Sequence, residues 1–323
     1  MMSILSQIYK KYGKEAVTSS EDVLDIIVPD RRKNQISKII LIGGSEKYRG
    51  AIIISGLAAL RNGMHGALLI APEKVCAIAN NSLTAGFITL AIDEGAEKLS
   101  EEIREIIKKW DTRILIGPGI DKNEKTLNRV LELMKFILTQ NIPMVVDANA
   151  IEIMIETKLI HKLKNKKIVM TPNDKEFIML CGSLNLKVPK DFFERIQLSV
   201  KIAKKLGIVL CVKGRRDIIT DGKNLKITYA GEPVMSTAGC GDVLAGLITS
   251  FMAETDDLFK AATAGTFISG RAGDIAFSKK GYSFVAQDLL DGIIEFSKMA
   301  ATQTTIDEIS LSKYTFKEKD FEI

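Results

Sequence analysis

Seven short apolar runs alternate with segments of helical period, and that rhythm leaves few folds open to this chain. The runs are Lys38–Ile42, Ala67–Ile70, Phe87–Ala91, Arg113–Ile116, Met144–Asp147, Ile168–Met170 and Ile208–Lys213. Between them lie helical patterns near Arg49–Arg61, Ser100–Lys109, Glu124–Gln140, Asp174–Cys181 and Lys190–Leu206. Strands alternating with helices build a parallel sheet covered on both faces. The runs are nearly all apolar, as strands buried on both sides require. After Lys213 the rhythm changes. Asp217–Thr220 and Leu225–Tyr229 flank Asp221-Gly222-Lys223-Asn224, and the Asp-Gly pair predicts a hairpin. Three helices are expected after it, over Gly241–Ala253, Asp256–Ser278 and Ala286–Met299. The expected fold class is α/β, a mostly parallel central sheet with helices on both faces and a late β-hairpin. Residues 1–18 read as an added amphipathic helix, 19–303 as the catalytic α/β domain and 304–323 as a polar tail.

Composition narrows the function classes. No apolar run reaches the roughly 18–20 residues that span a bilayer. Met1–Tyr12 lacks a signal-peptide apolar core and cleavage site. The expectation is therefore a cytoplasmic protein with no membrane partner. The net charge is +5, but the basic clusters Arg31-Arg32-Lys33 and Lys162–Lys167 are short, with no interleaved aromatic platform. They read as solvated surface, so no nucleic-acid partner is expected. Four widely spaced Cys (Cys76, Cys181, Cys211, Cys240) and two distant His (His65, His161) offer no zinc spacing.

In open α/β sheets, ligands sit beyond the carboxyl ends of the strands. The loops there carry unusual residues. Gly43-Gly44-Ser45-Glu46-Lys47-Tyr48-Arg49-Gly50-Ala51 follows the first run; its glycines admit close backbone approach, and Tyr48 offers a stacking face. It fits neither the Rossmann nor the P-loop spacing. Gly117-Pro118-Gly119 follows the fourth run, Asp147-Ala148-Asn149-Ala150 the fifth, and Thr171-Pro172-Asn173-Asp174-Lys175-Glu176 the sixth. Lys213-Gly214-Arg215-Arg216-Asp217 follows the seventh, a cationic loop suited to phosphate. Singly, Asp147 and Asn173 are also plausible helix caps, and Lys213 a surface charge. Together the loops describe a nucleotide-phosphate site.

The stretch Ser236–Gly246 completes the set: a glycine-rich turn, Gly239-Cys240-Gly241, running into an apolar helix with Asp242 at the junction. Its backbone N–H groups and the helix dipole suit an anion. Asp242 is equally the kind of acid that any first helical turn favours.

With these motifs in place, the chain resembles the ribokinase-like superfamily, and within it the ADP- or ATP-dependent NAD(P)H-hydrate dehydratases. The carrying motifs are Gly-Gly-Ser-x-x-Tyr-x-Gly-Ala at 43–51, Gly-Pro-Gly at 117–119, Val-Asp-Ala at 146–148, Thr-Pro at 171–172, Val-Lys-Gly at 212–214 and Gly-x-Gly-Asp-Val-Leu-Ala-Gly at 239–246. The resemblance implies a three-layer α/β/α fold and repair of hydrated NADH or NADPH by phosphorylating the ring hydroxyl and eliminating phosphate. It implies Asp242 as the catalytic base and Gly239, Cys240 and Gly241 as the anion hole. Lys213, Gly214, Arg215, Arg216, Asp217 and Gly241 would bind the adenine nucleotide, ATP or ADP. Gly44, Tyr48, Ala51, Gly119, Asp147, Asn173 and Asp242 would face the hydrated cofactor, and Glu176 would hold Mg²⁺ through water. It also implies a homo-oligomer. Asp242 is expected to be ionised at pH 7 from an ordinary carboxylate value near ~4.

Three departures stand against the resemblance. Asn173-Asp174-Lys175-Glu176 replaces the family's His after Thr-Pro, Asp147-Ala148-Asn149 replaces Asp-Ala-Asp, and Lys33–Ser37 replaces a His-Lys-Gly segment. Asn-x-x-Glu is common in ribokinase-like sugar and vitamin kinases, so a small-molecule kinase is the alternative. A nucleotide-binding regulator without activity is the third reading, opposed by the presence of Asp242, Lys213 and Glu176 together.

Overall fold

The computed structural model describes residues 3–23, 26, 38–81, 86–92, 100–110 and 112–301. The Arg31–Lys33 cluster, the Lys33–Ser37 replacement and the 304–323 tail lie outside them. Among the described residues one sheet holds β1 (Lys38–Ile42), β2 (Gly66–Pro72), β3 (Phe87–Ile92), β4 (Arg113–Ile116), β5 (Met144–Val146), β6 (Ile168–Met170), β7 (Val209–Val212), β8 (Asp217–Thr220) and β9 (Leu225–Thr228). Their order is β3-β2-β1-β4-β5-β6-β7-β8-β9. The first seven are parallel, β8 is antiparallel to β7, and β9 is antiparallel to β8. Strand order reverses between β1 and β4, which opens a crevice at their carboxyl ends.

Alternation along β1 divides the core. Ile39 and Leu41 enter one apolar layer, Ile40 and Ile42 the other. The first layer is covered by α2 (Gly50–Arg61), α3 (Glu73–Asn81), α9 (Cys240–Glu254), α10 (Leu258–Lys280) and α11 (Asp288–Ala301). The second is covered by α4 (Glu101–Lys109), α5 (Glu124–Gln140), α6 (Asn149–Glu156), α7 (Asp174–Ser183) and α8 (Phe192–Leu206). The result is the three-layer α/β/α arrangement expected. The edge strand β3 departs from the buried pattern: Ile88 is half exposed, because no strand pairs beyond it among the described residues.

The amino-terminal segment is shorter in helix than the pattern of residues 1–18 suggests. Helix α1 spans Ile4–Tyr12, and a 3₁₀ turn follows at Lys14–Ala16. Gly13 at φ 84° separates the two, a backbone angle that ends the α-helix there. Val17 then bridges Ile227 on β9, and Lys226 Nζ reaches Asp22 Oδ1 at 2.5 Å. Ile8 and Ala16 are buried in the second apolar layer, so this segment covers the last strand of the sheet.

Candidate active site

Two pairs of loops meet at the carboxyl edge. At the β1/β4 crevice, Gly44 N–H donates to the Pro118 carbonyl at 2.8 Å. Gly119 adopts φ 73°, and a Cβ on it would fall 2.4 Å from the Tyr48 carbonyl and 3.2 Å from Ala51 Cβ. Only glycine fits there, and Gly44, Gly119 and Ala51 are thereby gathered in one place. Tyr48 is 45% exposed, with Lys47 Nζ 5.1 Å from its ring centre. A cavity of about 470 Å³ adjoins this loop, lined by Gly43, Gly44, Ser45, Asp121 and Asn123 among others; Asp242 is not in its wall.

Helices α2 and α9 both start at this edge and run side by side. Gly246 lies so close to α2 that a Cβ would stand 2.1 Å from the Ser55 carbonyl oxygen. Further along, Asn62 Nδ2 donates to Ser250 Oγ at 2.9 Å. Ala51 lies one turn before Ser55 on α2, and Asp242 one turn before Gly246 on α9.

The Gly239–Gly241 turn heads α9. Gly239 holds φ 98° and caps the helix without a side chain. Cys240 N–H already donates to the Thr237 carbonyl at 3.3 Å, which leaves Gly241 and Asp242 to present the open first-turn N–H groups. Burial pushes the Cys240 thiol up to about 12, aided by Asp242, so it stays a protonated packing group.

Charge converges on this turn from β5, β7 and α7. Asp147 is 1% exposed; its Oδ1 accepts from Lys213 Nζ at 2.6 Å and from Thr171 Oγ1 at 2.7 Å. A Cβ on Gly241 would lie 3.2 Å from Lys213 Nζ, which sets the ammonium beside the turn. Burial works to lower the Lys213 ammonium, but Asp147 and Glu176 outweigh it and hold it above its ordinary value. Asp242 is pushed up to about 7 by burial, then by Asp147 and Glu176, with Lys213 opposing. This corrects the expectation of an ordinary carboxylate: the buried helix start, which sequence does not reveal, is the cause. Such an acid is half-ionised near neutrality, where a general base works best.

Asn173 and Glu176 form a capping box. Asn173 N–H donates to Glu176 Oε2 at 2.7 Å, and Glu176 N–H donates to Asn173 Oδ1 at 3.0 Å. The Asn173 oxygen is thus committed to α7. Glu176 is buried, and that burial raises its carboxyl, with Lys213 and Asn173 opposing and Asp147 assisting. In the cationic loop, Gly214 N–H donates to Asp217 Oδ1 at 2.9 Å, and burial raises Asp217 to about 6 against Gly214 and Lys213. Arg215 is exposed. Arg216 turns toward the second apolar layer: its guanidinium lies 5.1 Å from the Tyr229 ring centre and 5.7 Å from that of Phe192. Strand alternation explains this, since Arg216 shares the side of Ile218 in the second layer. Thr171 was legible as part of a Thr-Pro turn, but its hold on Asp147 was not.

A glycine turn and a half-buried carboxylate at the head of a helix, at the carboxyl edge of a three-layer α/β/α sheet, belong to a ribokinase-like fold. The fold matches the Bacillus subtilis ADP/ATP-dependent NAD(P)H-hydrate dehydratase co-crystallized with ATP/Mg²⁺ and soaked with CoA, at TM-score 0.69 and 19% identity, over 88% of this chain and 99% of that one. The chain belongs to the NAD(P)H-hydrate dehydratase family, whose model matches residues 39–295. It is 32% identical over 267 residues to the bifunctional NAD(P)H-hydrate repair enzyme Nnr of Hyperthermus butylicus, covering 81% of this chain and 49% of that protein. It is 31% identical to the ADP-dependent (S)-NAD(P)H-hydrate dehydratase of Nitrosopumilus maritimus, covering 81% of this chain and 88% of that one. The chain thus spans about half the length of the bifunctional relative. No helix among the described residues is long and apolar enough to cross a membrane.

Proposed function

We propose that this protein dehydrates hydrated NADH or NADPH at the expense of ATP or ADP. Asp242 takes the proton of the ring hydroxyl, whose oxygen attacks the terminal phosphorus of the nucleotide. The bond to the leaving nucleotide breaks, and the phosphoryl group passes over the Gly241 and Asp242 N–H groups. Phosphate then leaves with the electrons of its carbon–oxygen bond, a ring proton is lost, and the double bond returns. Phosphate is a far better leaving group than hydroxide, so the protein needs only to position, polarise and remove a proton. The observation that carries this reading is Asp242, raised to about 7, at the head of α9, where Lys213 stands beside the glycine turn.

Among the described residues no cluster of three or more acidic, His or Cys groups could hold a metal by itself. Mg²⁺ would arrive on the nucleotide phosphates, since this ion needs only one or two carboxylates besides phosphate and water. Glu176, whose Oε2 accepts from Asn173 N–H, would serve it. When bound, Mg²⁺ neutralises phosphate charge.

Phosphorus NMR of a reaction with hydrated NADH, Mg²⁺ and ATP or ADP tests the reading. Stoichiometric free phosphate with NADH supports it. A phosphate ester accumulating on an added sugar or vitamin alcohol, with hydrated NADH unchanged, supports the kinase instead.

A further inference from the structure

We infer that Asp147 is a positioning residue: it holds the Lys213 ammonium against the Gly239–Gly241 turn, where Lys213 neutralises the transferred phosphoryl group, and it does not touch the substrate. The inference rests on the phosphoryl-transfer reading above. Asp147 is 1% exposed, so a ligand at the sheet edge cannot reach its carboxylate. Its Oδ1 is occupied twice, by Lys213 Nζ at 2.6 Å and Thr171 Oγ1 at 2.7 Å. Three successive strand ends, those of β5, β6 and β7, thereby fix one cation. The backbone is equally constrained. Ala148 leaves β5 at φ 50°, and a Cβ on Gly117 would stand 1.7 Å from the Asp147 carbonyl oxygen. Lys213 N–H donates to the Pro172 carbonyl at 2.9 Å, which ties the cation's own backbone to the Thr171 loop.

A lysine is otherwise a flexible point charge. Held this way, its ammonium waits beside the open N–H groups of Gly241 and Asp242, and needs no reorganisation when charge develops. The groups facing Asp242 are Asp147 from the end of β5, Lys213 from the end of β7, Glu176 from α7 and the adjoining Cys240 thiol. Asp147 and Glu176 raise the Asp242 carboxyl and Lys213 lowers it, so removing the two partners of the ion pair has opposite effects on the base.

The test uses the full chain as wild type, Asp147→Asn, Lys213→Met and the double variant. Calorimetry gives affinities for ATP and adenosine, and turnover of hydrated NADH is followed against pH. Lys213→Met is expected to weaken ATP but not adenosine, to cut turnover about a hundredfold, and to move the acid limb up in pH. Asp147→Asn is expected to cost about tenfold or more and to move that limb down. The double variant should be no worse than Lys213→Met alone, within about twofold. Losses that multiply in the double variant, or limbs that move together or stay put, overturn the inference. Should Asp147→Asn fail to fold, Thr171→Val must show the same direction at smaller size; an unchanged profile there also overturns it. If wild type dehydrates nothing, the proposed function falls, while the ATP-against-adenosine cycle still decides the positioning role.

Discussion

Replacing Asp242 by Asn should make the protein more stable and inactive, and the stability gain should grow with pH. The carboxyl rises from 3.8 to about 7 in the folded protein. A group whose folded value is raised contributes its full stability below its unfolded value and loses it as pH climbs through the folded one. The window is therefore about pH 4 to pH 7, with wild type penalised above it. At 1.36 kcal/mol per unit, the shift corresponds to at most about 4 kcal/mol. Asp242 keeps part of its surface in water, which screens the cost, so about 1–2 kcal/mol should appear between pH 5 and pH 8. The other raised carboxyls, Glu176, Asp217 and Asp274, are present in both proteins and largely cancel. Urea unfolding of wild type and Asp242→Asn at both pH values measures it. A difference in stability that does not change with pH would refute the claim that burial and Asp147 hold this carboxyl high.

Other substitutions test the packing around the base. Gly246→Ala places a Cβ 2.1 Å from the Ser55 carbonyl and forces α2 from α9; it should cost about 1–3 kcal/mol by urea unfolding, despite the better helix propensity of Ala. Unchanged stability would mean that α2 and α9 do not meet as closely at Gly246 as the Ser55 contact requires. Cys240→Ala should keep turnover within about threefold, and the wild-type thiol should resist alkylation at pH 8, because burial holds it protonated; rapid labelling would contradict this. Asn173→Ala removes one half of the capping box and should lower stability by about 1 kcal/mol in a thermal melt. A loss confined to turnover would instead show that Asn173 serves the substrate.

Much of the fold was legible because the strands are compact apolar runs and helices such as Glu101–Lys109 and Phe192–Leu206 carry a polar face. Two helices were not: Glu73–Asn81 and Asn149–Glu156 start almost directly after a strand, leaving no loop signal between. In the second case Ala148 makes the turn at φ 50° without a glycine to announce it. The polar and glycine residues at the strand ends were legible as loop chemistry, yet their partnerships were not. Asp147 and Lys213 are 66 positions apart, and only the parallel order β5-β6-β7 makes them meet. The raised Asp242 carboxyl depends on that same convergence. The ring contacts of Arg216 were not legible either, because a loop of successive cations hides which of them the hairpin turns inward.

The central claim is that Asp242 removes a proton so that a phosphoryl group can be placed on hydrated nicotinamide. Incubating wild type and Asp242→Asn with hydrated NADH, Mg²⁺ and ATP or ADP, and following the absorbance of reduced nicotinamide, tests it directly. Wild type should restore NADH only when nucleotide is present, and Asp242→Asn should restore almost none while still binding nucleotide. Nucleotide-dependent recovery at the wild-type rate by Asp242→Asn, or none by wild type, would contradict it.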